Sequence, residues 1–490
     1  MLDVITQTYT VLSWMFVIYA AIVSIFMILE NQPPPKTFSW ILLFFLLPVL
    51  GVVIYFMFGR DYHPFSRENK LLQQEISKNI REEPNVAKFL AHQHEEMDRL
   101  QAKGPPVYGR VLALMHRNAK AALFPYNTLE ILQNGAEKYP RLREDLRNAK
   151  HSIHMEYFEW SSDELMQEFK EILLERAKAG VEVRVVYDAL GCFTMLSRRY
   201  VREMNEGGVK MIPWSPVYAV HTLSYRSHRK IAVIDGKIGY TGGLNMSQEY
   251  LTGPKGGRFT GWRDTHVRVT GQVVLGLQAS FAVQWYNTTQ ERLLHLTYDP
   301  SPLTEADYLP LQIVHSGPDA EWKAIREVYF ALITAAQKHI YIQSPFFILD
   351  EGMAEALAGA ARSGVDVKVM IAPRGPGGDY PYWAGLTYAA NMAKAGVKIY
   401  LYQGAYFHAK TICIDSAICS IGSLNMDIRS FGLNYELNLI VYDEKTTQEL
   451  EMDFQNDLHH CTKFNLRAYM HGSVLKRTRD SLCRLLSPLL

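Results

Sequence analysis

A chain of 490 residues has room for about three domains at the usual ~150 residues each. Its composition, 48% apolar and 21% charged with no low-complexity tract, excludes a largely disordered protein, and a formal net charge of +1 supplies no global basic field for nucleic acid. The five cysteines (192, 413, 419, 461 and 483) lack C-x2-C spacing, so free thiols in a reducing compartment fit better than a disulfide framework or a zinc site.

The first elements in chain order are apolar. Residues 10–29 run for about 20 positions without a charge, the length of a bilayer span. A stiff polar turn at 30–36, with prolines at 33, 34 and 35, separates them from a second uncharged run at 38–58. A cleaved signal peptide does not fit: Asp3 stands where a basic n-region belongs, and the apolar stretch is too long. Residues 1–60 therefore read as an N-terminal transmembrane α-helical hairpin with two spans. Only Lys36 is basic in the short turn, whereas Arg60, Arg67, Lys70 and Lys78 follow the second run, which places the large C-terminal part in the cytoplasm. Residues 61–110 are polar and charged, end in Gly104-Pro105-Pro106, and read as a juxtamembrane helical linker. His92, His94, Glu95 and Glu96 in it read as a solvated helix face, since no other ligands converge there for a metal.

The rest of the chain repeats, as residues 111–300 and 301–490. In the first half, 149–158 alternates like a strand, a helix starts near Asp163 and stops at Gly180, and 181–187 (VEVRVVY) reads as a buried strand. In the second half, 337–343 is the strand, 351–364 the helix and 365–371 (VDVKVMI) the next strand. A glycine stop followed by a β-branched run is the expected boundary signal. Strands alternating with helices predict an α/β fold with a mostly parallel, helix-covered sheet in each half. Asp299-Pro300-Ser301-Pro302 marks the seam, and the two similar α/β domains are expected to pack on a pseudo-two-fold.

One pattern, H-x-K-x4-D-x6-G-[GS]-L-N, occurs twice, 180 residues apart. The first copy holds His228, Lys230, Asp235 and Asn245; the second holds His408, Lys410, Asp415 and Asn425. Alternation along a strand sends each histidine and its lysine to the same face. A neutral imidazole is a nucleophile at pH 7, and nearby lysines stabilise the charge of a pentacoordinate phosphoryl group. Asparagine amides add hydrogen bonds, and a second histidine, protonated, can donate to the leaving alkoxide. Neither copy alone supplies both histidines. The lysines bring the positive charge a metal would otherwise bring, so neither metal nor cofactor is expected.

The motifs resemble the paired HKD motifs of the phospholipase D superfamily, and nearly the whole chain resembles the bacterial cardiolipin synthases of that superfamily. The apolar double run ends in Phe58-Gly59-Arg60, as in that family. Residues 225–230 (YRSHRK) are similar, with Ser227 where the family usually has Asn, and 262–266 (WRDTH) resemble its downstream signature. Residues 425–431 (NMDIRSF), followed by 433–436 (LNYE), match its most specific signature; Gln284, before Trp285, departs from the usual Asp.

The resemblance implies two similar phospholipase D-like α/β domains and a two-step exchange in the bacterial cytoplasmic (inner) membrane. His228 would attack the phosphorus of phosphatidylglycerol, releasing glycerol, with His408 as general acid and base. The headgroup of a second phosphatidylglycerol would then attack to give cardiolipin. Lys230, Lys410, Asn245 and Asn425 would bind phosphoryl oxygens. Asp264 and Glu436 would each accept from a histidine Nδ1, and Asp235 and Asp415 would complete the catalytic motifs in a structural or charge-orienting role. Hydrolysis to phosphatidic acid, by a phospholipase D-type phosphodiesterase, would use the same motifs. A nuclease does not fit the neutral charge, the apolar runs and the lack of a basic stripe with interleaved aromatics.

The last residues carry a second lipid signal. Lys463, Arg467, Lys476, Arg477, Arg479 and Arg484 stand against the single acid Asp480, and leucines at 475, 482, 485, 486 and 489 fall near helical spacing. This segment is either interfacial, drawn to anionic membrane lipids, or a terminal helix docked on the second half. Aromatic clusters at 213–218 and 380–383 occupy matching places before the motifs, as a mouth for acyl chains or as core packing.

Overall fold

The structure is a computed structural model of the full chain, and it describes residues 2–29, 34–47, 50–51, 54–55, 92–119, 121–217, 224–254, 259–293, 304–320, 322–375 and 378–488. The chain falls into two units, residues 1–63 with 217–224, and residues 64–216 with 225–490.

In the first unit, α1 (Leu2–Leu29) is 28 residues long and α2 (Pro34–Leu46) begins on a proline, whose missing N–H costs nothing in the first helical turn. The two helices pack through Met27 and Phe44, and Tyr55 meets Trp40 and Phe44 edge-on. Large apolar side chains of α1 remain exposed, among them Trp14 (64%) and Ile22 (60%). Part of the side chains of α1 lie outside the described residues, and among those described no helix is long and apolar enough to cross a membrane. The end of the second expected span, the basic residues after it and the linker up to residue 91 also lie outside the described residues.

The second unit begins with α3 (Gln93–Lys103) and α4 (Pro106–Leu114). These are not a free linker. Leu100, Val107, Tyr108, Val111 and Leu112 join the apolar core of the second half, and the Tyr108 hydroxyl donates to the Ala417 carbonyl at 2.7 Å. Apolar residues three and four apart gave α4 a buried stripe that the polar average over 61–110 concealed. The expected boundary at 110 therefore cuts a helix.

The first half holds β1 (Leu123–Gln133), α5 (Asn134–Asn148), β2 (Ser152–Tyr157), α6 (Glu164–Lys178), β3 (Glu182–Asp188), β4 (Lys210–Trp214), β5 (Lys230–Ile234), β6 (Ile238–Gly242), β7 (Trp262–Arg263), β8 (Thr265–Gly271) and α7 (Val273–Thr289). The second holds β9 (Tyr308–Ser316), α8 (Ala324–Ala335), β10 (His339–Ser344), β11 (Phe347–Ile348), α9 (Glu351–Arg362), β12 (Asp366–Ile371), α10 (Asp379–Lys394), β13 (Lys398–Tyr402), β14 (Tyr406–Phe407), β15 (Thr411–Ile414), β16 (Ile418–Gly422), β17 (Met426–Asp427), β18 (Glu436–Val441), α11 (Glu444–Leu458) and β19 (Cys461–Lys463). The chain closes with α12 (Val474–Arg484). Equivalent helices start and stop alike. Asp163 and Asp350 cap α6 and α9 by accepting the N–H of Met166 and Met353, and Gly180 and Gly364 follow the helix ends at φ 91° and 99°.

The main strands form one 15-stranded sheet, β19-β13-β12-β10-β15-β16-β18-β9-β1-β8-β6-β5-β2-β3-β4. Its centre is the antiparallel pair β1–β9, where Leu123 faces Gln312 and Tyr126 faces Tyr308. Outward from that pair, β1-β8-β6-β5-β2-β3-β4 repeats as β9-β18-β16-β15-β10-β12-β13, the order a pseudo-two-fold requires. The expected Asp299–Pro302 seam lies outside the described residues. The sheet is mixed rather than mostly parallel. Only β2–β3, β3–β4, β10–β12 and β12–β13 pair parallel within it. The reason is the motif itself: the three-residue connection after each motif strand is too short for a crossover and forces an antiparallel partner. Asp235 and Gly236 (φ 53° and 64°) and Asp415 and Ser416 (φ 55° and 56°) are the tight left-handed turns that join β5 to β6 and β15 to β16.

Each half has its own apolar cluster between sheet and helices, and a third spans both. Ile231, Val233 and Val267 from one half share it with Leu311, Cys413, Ile421 and Leu437 from the other. The halves are therefore one folded body.

Candidate active site

His228 and His408 sit one turn of chain before β5 and β15, and each is clamped by a segment of the opposite half. The His228 N–H donates to the Tyr435 carbonyl at 2.9 Å, and the Tyr435 N–H donates to Arg226 at 2.8 Å. In mirror fashion, the His408 N–H donates to the Arg263 carbonyl at 2.8 Å, beside the short β7–β14 ladder. In both cases the accepting carbonyl belongs to the residue before an acid, Glu436 or Asp264.

Those acids complete the crossing. His228 Nδ1 lies 3.0 Å from both carboxylate oxygens of Glu436, and His408 Nδ1 lies 2.7 Å from Asp264 Oδ2. With Nδ1–H donated to a carboxylate, each Nε2 keeps its lone pair for chemistry. Ser423 and Asn434 donate to Glu436, and the Thr265 N–H donates to Asp264 at 2.8 Å. This explains the G-[GS] of the motif. A Cβ on Gly243 would stand 1.9 Å from Asp264 Oδ1, so that position admits only glycine, while Ser423 at the equivalent place uses its hydroxyl to hold Glu436.

Burial sets the charges. It pushes His228 down to about 4, and burial with the adjacent Lys410 pushes His408 down to about 3, so both imidazoles are neutral at pH 7. Burial, then Lys410, lowers Lys230 to about 7; burial lowers Lys410 to about 8. For Asp264 burial acts upward, but Lys410 and His408 outweigh it and hold the carboxyl below its ordinary value. Glu436 is likewise raised by burial and lowered further by His228, with the lower value prevailing. Both ammonium groups are tied back to their own motif: Lys230 Nζ donates to the His228 carbonyl at 2.7 Å, and Lys410 Nζ to that of His408 at 2.5 Å.

The remaining motif residues separate into two groups. Asp235 accepts the N–H groups of Lys150, His151 and Ser152, and Asp415 those of Gln337, Lys338 and His339, at 2.7–2.9 Å. Both carboxylates lie at the far end of their strands, seven residues or roughly 20 Å of extended chain from the histidines. They hold the turn to the neighbouring strand and do not touch the histidines.

The asparagines differ in their partners. Asn245 donates to Glu159 and to the Tyr250 hydroxyl, both at 2.9 Å, and accepts the Glu159 N–H at 3.2 Å. Asn425 is 5% exposed, and its Oδ1 has no partner among the described residues. In the second half, Phe346 occupies the place of Glu159: Trp160 bridges Met246 as Phe347 pairs with Met426.

Sequence reasoning missed Glu159, Tyr250 and Lys138. Lys138 is fully buried in α5 and donates to the carbonyls of Leu244 at 2.9 Å and Asn245 at 3.3 Å, fixing the loop that carries Asn245. No sequence signal marks a lone lysine in a polar helix. Ser227, at the family's usual Asn position, donates its hydroxyl to Glu156, and its N–H to Asp188 at 3.1 Å. Of the aromatic clusters, Trp214 meets Tyr435 edge-on at 5.7 Å next to the His228 clamp, whereas Trp383 packs beneath Arg479 of α12. The rings at the histidines are others: Phe158 lies 5.1 Å from His228, and Trp262 lies 5.0 Å from His408.

Comparison with known proteins agrees with this architecture. The family described as "Cardiolipin synthase, PLD-like domain" matches residues 142–254 and 329–458, and "Phospholipase_D-nuclease N-terminal" matches residues 15–60. The chain is 37% identical to a cardiolipin synthase of Halalkalibacterium halodurans, covering 99% of this chain and 94% of that one. It is 36% identical to the major cardiolipin synthase ClsA of Bacillus subtilis, covering 98% of each. Among solved structures, phosphatidylserine synthase of Haemophilus influenzae shares the fold at a TM-score of 0.58 and 14% identity, over 78% of this chain and 100% of that one. With paired motifs, crossed acids and full-length relatives in agreement, the chain belongs to the bacterial cardiolipin synthases of the phospholipase D superfamily.

Proposed function

We propose that the chain catalyses phosphatidyl transfer between two phosphatidylglycerol molecules, giving cardiolipin and glycerol. The observation that carries this reading is the crossed pairing of His228 with Glu436 and His408 with Asp264, which supplies two neutral imidazoles, each with Nε2 left for chemistry. His228 Nε2 attacks phosphorus, the bond from phosphorus to the glycerol oxygen breaks, and His408 gives that oxygen a proton. The terminal hydroxyl of a second headgroup then gives its proton to His408 and attacks phosphorus, the P–N bond breaks, and His228 is restored. Atoms balance: two phosphatidylglycerols yield one cardiolipin and one glycerol. His228 is the nucleophile in this scheme because both oxygens of Glu436 hold its Nδ1–H, leaving Nε2 well oriented. His408 is the proton carrier. A phosphodiester anion bound beside Lys230 and Lys410 offsets their charge and raises His408 into range for protonation. Lys230, Lys410 and Asn425 hold the non-bridging oxygens, and Asn245 joins them by exchanging its bond to Glu159.

The N-terminal unit supports delivery of a lipid substrate. The α1 helix would extend about 42 Å at 1.5 Å per residue, more than a bilayer core, and its exposed apolar side chains suit lipid rather than water. We read residues 1–60 as a two-span hairpin in the bacterial cytoplasmic membrane, with the catalytic body on the cytoplasmic side.

The test is incubation of the purified full-length protein with labelled phosphatidylglycerol. Cardiolipin and free glycerol in equal amounts are expected; phosphatidic acid alone would replace the transferase by a hydrolase. His228→Ala and His408→Ala should each lower turnover by about 10³-fold or more. Of the two, only His408→Ala keeps the nucleophile and should still form a phosphatidyl adduct, slowly because the leaving glycerol loses its proton donor; an adduct in His228→Ala instead would exchange the two roles.

A further inference from the structure

We propose that the outward face of α12 is a docking surface for an anionic lipid bilayer, independent of the chemistry at the histidines. The sequence posed two alternatives for this segment, interfacial or docked, and the geometry satisfies both with opposite faces of one helix. The inner face is fixed. Cys483 joins the core of the second half, Arg479 stacks 4.1 Å above the Trp383 ring, and the Tyr388 hydroxyl lies 3.0 Å from Ser487 just past the helix. Asp480 is 1% exposed and bonded by Arg479 and Tyr469.

Those contacts lock the rotation of the helix, and the lock turns leucines outward. Val474 (67%), Leu475 (82%), Leu482 (59%) and Leu485 (75%) are exposed on a helix whose opposite side is packed. A surface helix of a soluble domain presents the reverse pattern, with its aliphatic stripe against the core. Charge identifies the occupant. The only acid of the segment is buried and paired, so the exposed charges around the leucines, Lys476 and Arg484 among them, are basic. A second copy of the same face would bring like charges together, whereas an anionic bilayer complements them and receives the leucines. Tyr380, 58% exposed and 5.9 Å from Trp383, extends the patch with a ring suited to the headgroup level.

The test uses the full-length protein carrying an environment-sensitive fluorophore on Leu485→Cys. It is reconstituted in vesicles of phosphatidylcholine alone or with phosphatidylserine, an anionic lipid outside the proposed reaction. Bromine on the acyl chains should quench the fluorophore in anionic vesicles and much less in neutral ones. Adding Leu475→Glu, Leu482→Glu and Lys476→Glu should abolish that quenching without shifting the melting temperature. Lys476→Ala alone should weaken it by up to about fivefold, the effect of one surface charge. Equal access of acrylamide to the fluorophore in both vesicle types would overturn the proposal. So would a fluorophore shielded from acrylamide and bromolipid alike, with crosslinking that grows with protein concentration, because a second copy would then cover the face. Cardiolipin formation is measured separately, so failure of the docking face and failure of the transferase reading are distinguishable.

Discussion

Glu436 and Asp264 serve histidines that lie 208 and 144 residues away in the chain. Each fixes a tautomer, and each is itself fixed, by Ser423 and Asn434 or by Thr265. Glu436→Gln and Asp264→Asn keep size while removing the charge that holds Nδ1–H. We expect each to lower kcat by about 10²–10⁴-fold with a modest change in KM, as when a triad acid is neutralised. Steady-state kinetics with labelled lipid check this; a kcat within a few-fold of the parent would refute the orienting role. Both acids were legible in the sequence because they sit in recognisable signatures. Their partners were not, since each reaches the histidine of the opposite half. Glu159 and Lys138 were illegible for a related reason: their polar contacts are to loops more than 80 residues away, Asn245 at 86 and Leu244 at 106.

At the scale of elements, the turn after each motif strand is anchored in the same way in both halves. Asp235 accepts three backbone N–H groups from the start of β2 while holding φ 53°, and Asp415 does the same at β10. Removing the carboxylate leaves three donors without their acceptor. Asp235→Ala should therefore cost about 2–3 kcal/mol of stability. The protein that does fold should retain most of its kcat, the opposite of the Glu436→Gln phenotype. Thermal unfolding combined with specific activity separates the two; full stability with lost turnover would return Asp235 to the chemistry. The strands and helices around these turns were legible from caps, glycine stops and β-branched runs. The direction of pairing was misread, because strand–helix alternation describes only the β2–β3–β4 side of each half and is silent about the hairpins.

The second unit is built on one 15-stranded sheet centred on the β1–β9 pair, and packing its two halves together buries titratable groups from both. Burial pushes His154 and His228 down to about 4 and His408, with Lys410 beside it, down to about 3, and it holds His266 well below its ordinary value. An unfolded histidine titrates near 6.5. Between these values the unfolded chain binds protons that the folded protein refuses, so stability rises with pH and is lost on acidification below 6.5. Asp427, raised to about 7 by burial, works in the opposite sense, as do Asp188, Glu156 and Glu159. The four buried imidazoles, His154, His228, His266 and His408, outweigh them. The melting temperature in detergent should be lower at pH 5.5 than at pH 7 by more than about 3 °C. An equal or higher value at pH 5.5 would show that the carboxyls dominate.

By itself the sequence determined the repeat, the two motifs and the family, because strand periodicity, turn residues and motif spacing are written locally. Tertiary structure alone decided which acid serves which histidine, that Asp235 and Asp415 act on backbone amides, that residues 93–114 belong to the core, and that α12 turns its leucines outward. Each depends on contacts between segments far apart in the chain. Such contacts form only when burial of the shared apolar core brings the two halves together, and no local pattern records their pairing.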